Sequence, residues 1–475
     1  MVVTRLGSPI AEPAVFVPDE QAWTLWGEDL RARGLVPAES PTSAVALIVP
    51  ATVPEPLVAA VRDAWALMPP PRRWLALEGP PLPGVPAERL LGRHGDHGAC
   101  AARQEGHGAS GDASHMGHQM EGHGEPEGHG HTMEVVGEPS RDGLVMEAVE
   151  LRLGPLSPAL RGGLVADVSL DGDVVAGCVV SATLEIHQPD SAPPRPPDPL
   201  AAVAWQVAML AGSERASGLA VPAPTAWLRL LAVEVERALS HLAWLRGFGS
   251  LLGWAELVDR AHEAVTPLVG ARSGLPVEVT TPDLETTRVD GVLEPLEAAR
   301  RAAGRVHRLL DGSRRLASRT RGRAAVPSAD LRAAGVTGPV TRAAGEPADA
   351  RVADPRYRAL GFKPALREEG DALARTLVRA AEAHASLELA LGALRHVKGD
   401  GEETGGCAEA PGPTVIEGPR GVLSAERRLG GRPELSAPGA EAQLRLAGEA
   451  ALGAEWASAL VGLASFDLSP WRMPS

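Results

Sequence analysis

Residues 225–245 read TAWLRLLAVEVERALSHLAWL, and this stretch decides the fold class. Leu228, Leu231, Val235, Leu239, Leu242 and Leu245 recur at three- and four-residue steps, the period that lines apolar side chains along one face of an α-helix. Thr225 stands where an N-cap hydroxyl would accept from the first backbone N–H groups of that helix. Glu234, Glu236, Arg237, Ser240 and His241 interrupt the same segment, so charge and apolar surface share one rod.

Working outward, helical patterning returns over residues 283–318. It returns again over 368–397, with apolar Leu373, Leu377, Ala380, Ala381, Leu387, Leu391 and Leu394, and a last time over 440–463 before an irregular tail. Upstream, alternation in residues 145–153 and 164–180 predicts a small antiparallel sheet turned at Asp171-Gly172. Residues 140–475 therefore read as a mainly helical domain with a small antiparallel sheet. Nearer the N-terminus, the apolar run Ala44-Val45-Ala46-Leu47-Ile48-Val49 predicts a buried strand. Leu57, Val58, Val61, Ala64, Trp65 and Met68 predict a helix stopped by Pro69-Pro70-Pro71, and Trp74-Leu75-Ala76-Leu77 predicts a second strand. Strand, helix, strand at this spacing is a βαβ unit with parallel pairing, so residues 1–92 read as a truncated α/β domain. The class is α+β. Between the two domains, residues 93–139 form a linker whose His, Gly, Met, Glu and Asp cannot offset their ordering entropy by burial, which predicts disorder.

Composition narrows the function. A formal net charge of -14 over 475 residues opposes binding to nucleic-acid phosphates, which needs a basic surface. The arginines between Arg314 and Arg323 read as a solvated loop. Cys100, Cys178 and Cys407 lie far apart with no CxxC pair, which excludes a disulfide framework and a cysteine-held iron–sulfur cluster within this chain. No apolar signal core opens the sequence, and the run from Ala201 to Gly212 is too short to span a bilayer. A cytoplasmic protein without its own transmembrane segment is expected. It would lie peripheral to the inner membrane through partner subunits.

Several segments of the helical domain together carry a resemblance. They are Leu153-Gly154-Pro155-Leu156-Ser157-Pro158-Ala159 before the 165–180 strands, and Glu234-Val235-Glu236-Arg237 with Ser240-His241-Leu242. Gly338-Pro339-Val340 follows with Arg342, Gly345, Asp349, Arg351 and Asp354-Pro355, then Gly370-Asp371, Ala374-Arg375, Arg379, Glu382 and Ser386. Glu417-Gly418-Pro419-Arg420-Gly421 and Ser465-Phe466-Asp467 complete the series. In this order they resemble the quinone-side large subunit of respiratory complex I, the 49-kDa or D-type subunit of NADH-quinone oxidoreductase, which shares its fold with the nickel–iron hydrogenase large subunit. Residues 46–77 resemble the small, B-type complex I chain that carries the terminal iron–sulfur cluster. The resemblance implies other subunits of a complex I-like or hydrogenase-like membrane complex as partners, and quinone as the ligand.

The departures bear on chemistry. Hydrogen activation in that family needs four thiolates to hold nickel and iron. The C-terminal pair falls here at Ser469 and Arg472, and the N-terminal pair falls in a shortened segment, residues 190–196, that has no cysteine. Quinone reduction in the family uses a histidine of the hairpin motif and a tyrosine. The histidine positions are Ser157 and Arg161, and Tyr357, the one tyrosine, stands in the Asp-Pro-x-Tyr segment. In the small-subunit-like part Glu78-Gly79-Pro80 replaces a cluster cysteine. The degenerate positions Ser157, Arg161, Ser469 and Arg472 thus predict a pseudoenzyme without its own metal centre. His241, Glu234, Glu236 and Arg237 read as a hydrogen-bonded and charged network between helices or subunits.

The linker offers a different chemistry. His94, His97, His107, His115, His118, His123, His129 and His131 are accompanied by Met116, Met120, Met133 and Cys100. Imidazole suits nickel, copper and zinc, and His94/His97 and His115/His118 are spaced to chelate an ion in a flexible chain. Two functions follow: a structural or docking module of a redox complex with a residual quinone side, or a metallochaperone or storage protein using the fold as a docking surface.

Overall fold

The structure is a computed structural model, and it describes residues 14–16, 36–37, 44, 46–50, 55–68, 73–77, 148–157, 159–185, 198, 200–273, 275, 289, 291–398, 414–427 and 433–472. The eight tract histidines, from His94 to His131, and residues 190–196 lie outside them. Mostly helical with small sheets, the chain is α+β as its patterning predicts.

Near the N-terminus β1 (Ala14–Phe16), β2 (Val36–Pro37), β3 (Ala46–Pro50) and β4 (Arg73–Leu77) form one sheet in the order β2-β1-β3-β4, with every pair parallel. Helix α1 (Glu55–Leu67) joins β3 to β4 and buries Leu57, Val61 and Ala64 along one stripe. The βαβ unit is present, and two further strands extend it.

A three-stranded antiparallel sheet follows, made of β5 (Val149–Leu153), β6 (Leu164–Asp171) and β7 (Val174–Ala182), with Gly172 at the hairpin turn in a left-handed conformation. The short β8 (Leu184–Glu185) comes next. Four long helices make the bundle. They are α3 (Ala223–Leu251), α4 (Ala255–Ser273), α5 (Leu293–Leu310) and α10 (Ala372–Val397), and α3 packs on α4 and α10 while α5 packs on the same two. All six leucine and valine positions read from residues 225–245 are fully buried in the core between these helices. Asp371 starts α10 by accepting from the Ala374 N–H at 2.8 Å. Helix α2 (Ala202–Ala216) precedes α3 and lies against the C-terminal hairpin sheet, β9 (Thr414–Gly418), β10 (Gly421–Arg427) and β11 (Pro433–Ser436). Between α5 and α10 run the short helices α6 (Arg314–Thr320), α7 (Ser328–Ala333), α8 (Pro339–Arg342) and α9 (Pro355–Ala359). After β11 come α11 (Ala440–Glu449), α12 (Trp456–Ala464) and β12 (Trp471–Arg472).

Three expectations are corrected. Thr225 caps nothing: α3 opens at Ala223 from Pro222, and proline in its first turn needs no N–H partner, leaving Thr225 buried inside that turn. The arginine stretch after Arg314 is helical, capped by Ser313, and Arg315 lies over the Trp254 ring instead of in a solvated loop. The helix expected over 440–463 is two helices, because the backbone of Gly453, Ala454 and Trp456 bonds to Val175 and Asp173 beside β7. The tail after α12 is irregular over residues 465–470, as expected, and then β12 pairs in parallel with β8.

Candidate functional site

The degenerate positions are held at the junction of the β5–β7 sheet, the bundle and the C-terminal segment. The approach to Ser157 is a crossing that only glycine allows: Gly154 has φ +105°, and a Cβ there would collide with the Leu164 carbonyl oxygen. Ser157 Oγ accepts from the Ala159 N–H at 3.2 Å. Arg161 turns inward and pairs with Asp198 at 3.3 Å and with Asp467 at 3.8 Å. From the β9–β10 turn, Arg420 reaches the same two carboxylates at 2.6 and 3.3 Å. Arg379 of α10 stands 3.9 Å from Asp467 and donates to the carbonyls of Ser465 (3.1 Å) and Phe466 (2.7 Å). Asp467 is the focus of these contacts and adopts a left-handed φ of +54°, uncommon for a residue with a side chain. Three guanidinium groups thus close on two carboxylates. Burial pushes the Asp198 carboxyl up, but Arg420 and then Arg161 outweigh it, so Asp198 lies below its ordinary value and is charged at neutral pH.

A second charged layer lies deeper between α3 and α10. Arg342 bonds Glu382 at 2.6 Å, Glu417 at 2.8 Å and Asp349 at 3.0 Å. Arg351 spans Asp349 at 2.8 Å and Glu234 at 3.4 Å, while Arg237 holds Glu234 at 3.2 Å and donates to the Gly418 carbonyl at 2.7 Å. His241 on α3 meets Glu382 on α10 at 3.2 Å. Burial dominates the His241 ring and brings its pKa down to about 4, so it is neutral at physiological pH despite that carboxylate. Burial opposes the charge on Glu382 too, yet Arg342, His241 and Arg351 hold it well below the carboxylate range. Tyr357 donates to Glu234 at 2.7 Å; burial, then Glu234, push its phenol well above the ordinary value. Glu236 points the other way along α3, accepting from the Val203 and Ala204 N–H groups that open α2 at 2.9 and 3.0 Å. Glu234, Glu236, Arg237 and His241 therefore link elements of this one chain.

The degenerate positions Ser157, Arg161, Ser469 and Arg472 supply neither thiolate nor imidazole. Ser469 Oγ accepts from the Trp471 N–H at 3.3 Å, and Arg472 donates to the Ala182 carbonyl at 2.6 Å. These four side chains offer two hydroxyls and two cations, no thiolate and no imidazole, so a nickel–iron centre does not fit them. Among the described residues no group of three or more His, Cys, Asp or Glu could hold a metal ion. A narrow slot of about 30 Å³ beside Arg161 and Asp467 is otherwise walled by Trp244, Phe248, Leu463 and Leu468. Tyr357 lines a different cavity. The structure brings Arg161 to the centre of the site, leaves Ser157 and Ser469 in local backbone contacts and ties Arg472 to the distant Ala182 carbonyl. Asp198, the common partner of Arg161 and Arg420, gave no sequence signal beyond an isolated carboxylate before Pro199.

Comparison with known proteins accords with this arrangement. The family described as respiratory-chain NADH dehydrogenase, 49 Kd subunit, matches residues 278–409. A D-type NADH-quinone oxidoreductase subunit of Streptomyces coelicolor is 32% identical over 213 residues, 41% of this chain and 54% of that protein. The H-type NAD(P)H-quinone oxidoreductase subunit of Cucumis sativus chloroplasts is 26% identical over 273 residues, 52% of this chain and 69% of its own. The chain thus spans about half the length of the first of these relatives and about two thirds of the second. A chain in the structure of the membrane-bound sulfane sulfur reductase, an archaeal respiratory membrane complex, shares the fold with a TM-score of 0.55 at 21% identity, over 68% of this chain and 97% of the other. No helix among the described residues is long and apolar enough to cross a membrane. Residues 278–409 thus match the 49-kDa-type complex I subunit family, and the chain is similar to D- and H-type subunits over 41% and 52% of its length.

Proposed function

We propose that this chain is a structural and docking subunit of a complex I-like or hydrogenase-like membrane complex, without a metal centre of its own and with at most a residual quinone side. One observation carries the reading. At the position where the family's hairpin histidine would stand, Arg161 is locked between Asp198 and Asp467, and Arg420 and Arg379 lock the same carboxylates. Guanidinium groups stay protonated at every physiological pH, so Arg161 can neither ligate a metal nor relay a proton as a histidine at its position would. The cluster can fix the hairpin, the β9–β10 turn and the C-terminal segment against one another, which is what a docking face requires. The N-terminal parallel unit, similar in strand and helix order to the complex I small subunit, would extend that face, and a position peripheral to the membrane would follow from the partners.

Affinity purification of the natively expressed chain under mild detergent tests the proposal. Co-purifying iron–sulfur and membrane-arm subunits, with no stoichiometric nickel or iron on this chain, are the expected result. Recovery of the chain alone overturns it.

A second reading rests on the histidine density of residues 94–131. In it the tract buffers nickel, copper or zinc and the folded part docks the carrier to its client. Calorimetric titration of the three metals into the full chain and into a chain lacking residues 93–134 decides it. Tract-dependent binding at micromolar metal supports metal handling, and equal binding by both chains ends it.

A further inference from the structure

A cavity of about 170 Å³ opens between α2, the first half of α3, α9 and β9, away from the cluster around Arg161. Val207 and Ala211 of α2, Leu230 and Val233 of α3 and Ile416 of β9 give it an apolar wall. Arg215, Arg229, Arg351 and Arg356 also face it. Four guanidinium groups around one apolar hollow are expensive to assemble unless each is paired, and three are seen to be forked onto carboxylates. Arg229 holds Glu214 at 2.7 and 2.6 Å, Arg356 holds Asp354 at 3.0 and 2.7 Å, and Arg351 holds Asp349 at 2.9 and 2.8 Å.

The three forks differ in what their carboxylates can do. The Asp349 side chain is 0% exposed and also bonds Arg342, so it cannot leave Arg351 without stranding a buried charge. Glu214 is 18% exposed, so it can swing into water when another anion takes its place, whereas Asp354, 22% exposed, also caps α9 by accepting from the Arg356 N–H at 2.9 Å and stays in place. We propose that this cavity binds a small organic carboxylate, its apolar body against Val207, Leu230 and Val233 and its oxygens taking over the Arg229 fork from Glu214. The bidentate geometry of guanidinium suits a planar carboxylate, and the cavity exceeds what a single water fills. The site is independent of the docking role proposed above.

Calorimetric titration of the full chain with benzoate tests the site, with benzamide as the uncharged isostere and inorganic phosphate as the anion without an apolar body. Saturable benzoate binding is expected, at least about tenfold tighter than benzamide or phosphate, since a charge-assisted fork contributes about 1.5–3 kcal/mol. Arg229→Gln should weaken benzoate by a similar factor, with circular dichroism confirming the fold. Glu214→Gln removes the resident competitor, does not touch the apolar wall, and should tighten benzoate severalfold. Equal affinity for benzoate and benzamide, no saturation, or a Glu214→Gln chain that binds benzoate no better than the parent overturns the proposal.

Discussion

Two charged layers cross this molecule, and they are built differently. Around Asp198 and Asp467, three guanidinium groups face two carboxylates, and Arg161, Asp198 and Arg420 keep 10, 6 and 12% of their side-chain surface open. Between α3 and α10, four carboxylates (Glu234, Asp349, Glu382, Glu417) face three guanidinium groups (Arg237, Arg342, Arg351), none more than 2% exposed. One layer is short of negative charge and the other of positive, and Arg379 and Glu382, one turn apart on α10, bring them together. The deep layer is closed to water and holds the bundle. The shallower one sits beside the slot that Arg161 and Asp467 help to line. Interlocked arginine and aspartate around Arg161 are the observation on which the proposed docking role rests.

The largest effect should come from the deep layer. Arg342→Met would leave Glu382, Glu417 and Asp349 without their shared partner, and urea unfolding should show a loss of about 3–5 kcal/mol; a loss below about 1 kcal/mol would erase the distinction between the layers. His241 gives a pH signature nearly as large. Its folded pKa of about 4 lies below the ordinary value of 6.5, so the unfolded chain binds a proton that the folded chain refuses. Stability should therefore be full above about pH 6.5 and fall by up to about 3 kcal/mol as the pH drops towards 4, and His241→Asn should flatten that slope in unfolding curves taken across the window.

In the shallower layer, Asp198→Asn should lose about 2 kcal/mol at neutral pH, as one charged acceptor of Arg161 and Arg420 disappears. Because Asp198 is held below its ordinary value, this stabilisation is present above about pH 4 and is lost as the pH falls further, so wild type and variant should converge in acid. A gap between them that persists at pH 2 would mean that Asp198 acts through shape and not charge. The smallest effect belongs to Arg472→Gln, which removes one partly exposed hydrogen bond to Ala182 and should cost under about 1 kcal/mol by thermal melting.

The long helices were legible because their apolar period needs no knowledge of the rest of the chain; all of Leu228, Leu231, Val235, Leu239, Leu242 and Leu245 lie where the period puts them. Residues 440–463 look equally periodic and are nevertheless broken, because Val175 and Asp173, some 280 positions upstream, capture the backbone of residues 453–456. The candidate site was half legible. Arg161, Arg420 and Asp467 stand in recognisable segments, but that they share partners was not readable from any of them.

Sequence alone determined the helical bundle, the hairpin at Gly172, the parallel unit near the N-terminus and the absence of thiol and imidazole ligands at the four degenerate positions, since periodicity, turn chemistry and residue identity are local properties. Tertiary structure alone decided which charges meet. Asp198 and Arg420 are 222 residues apart and carry no mutual signal along the chain, because an ion pair of that span forms only once packing has brought its ends together and removed the water between them.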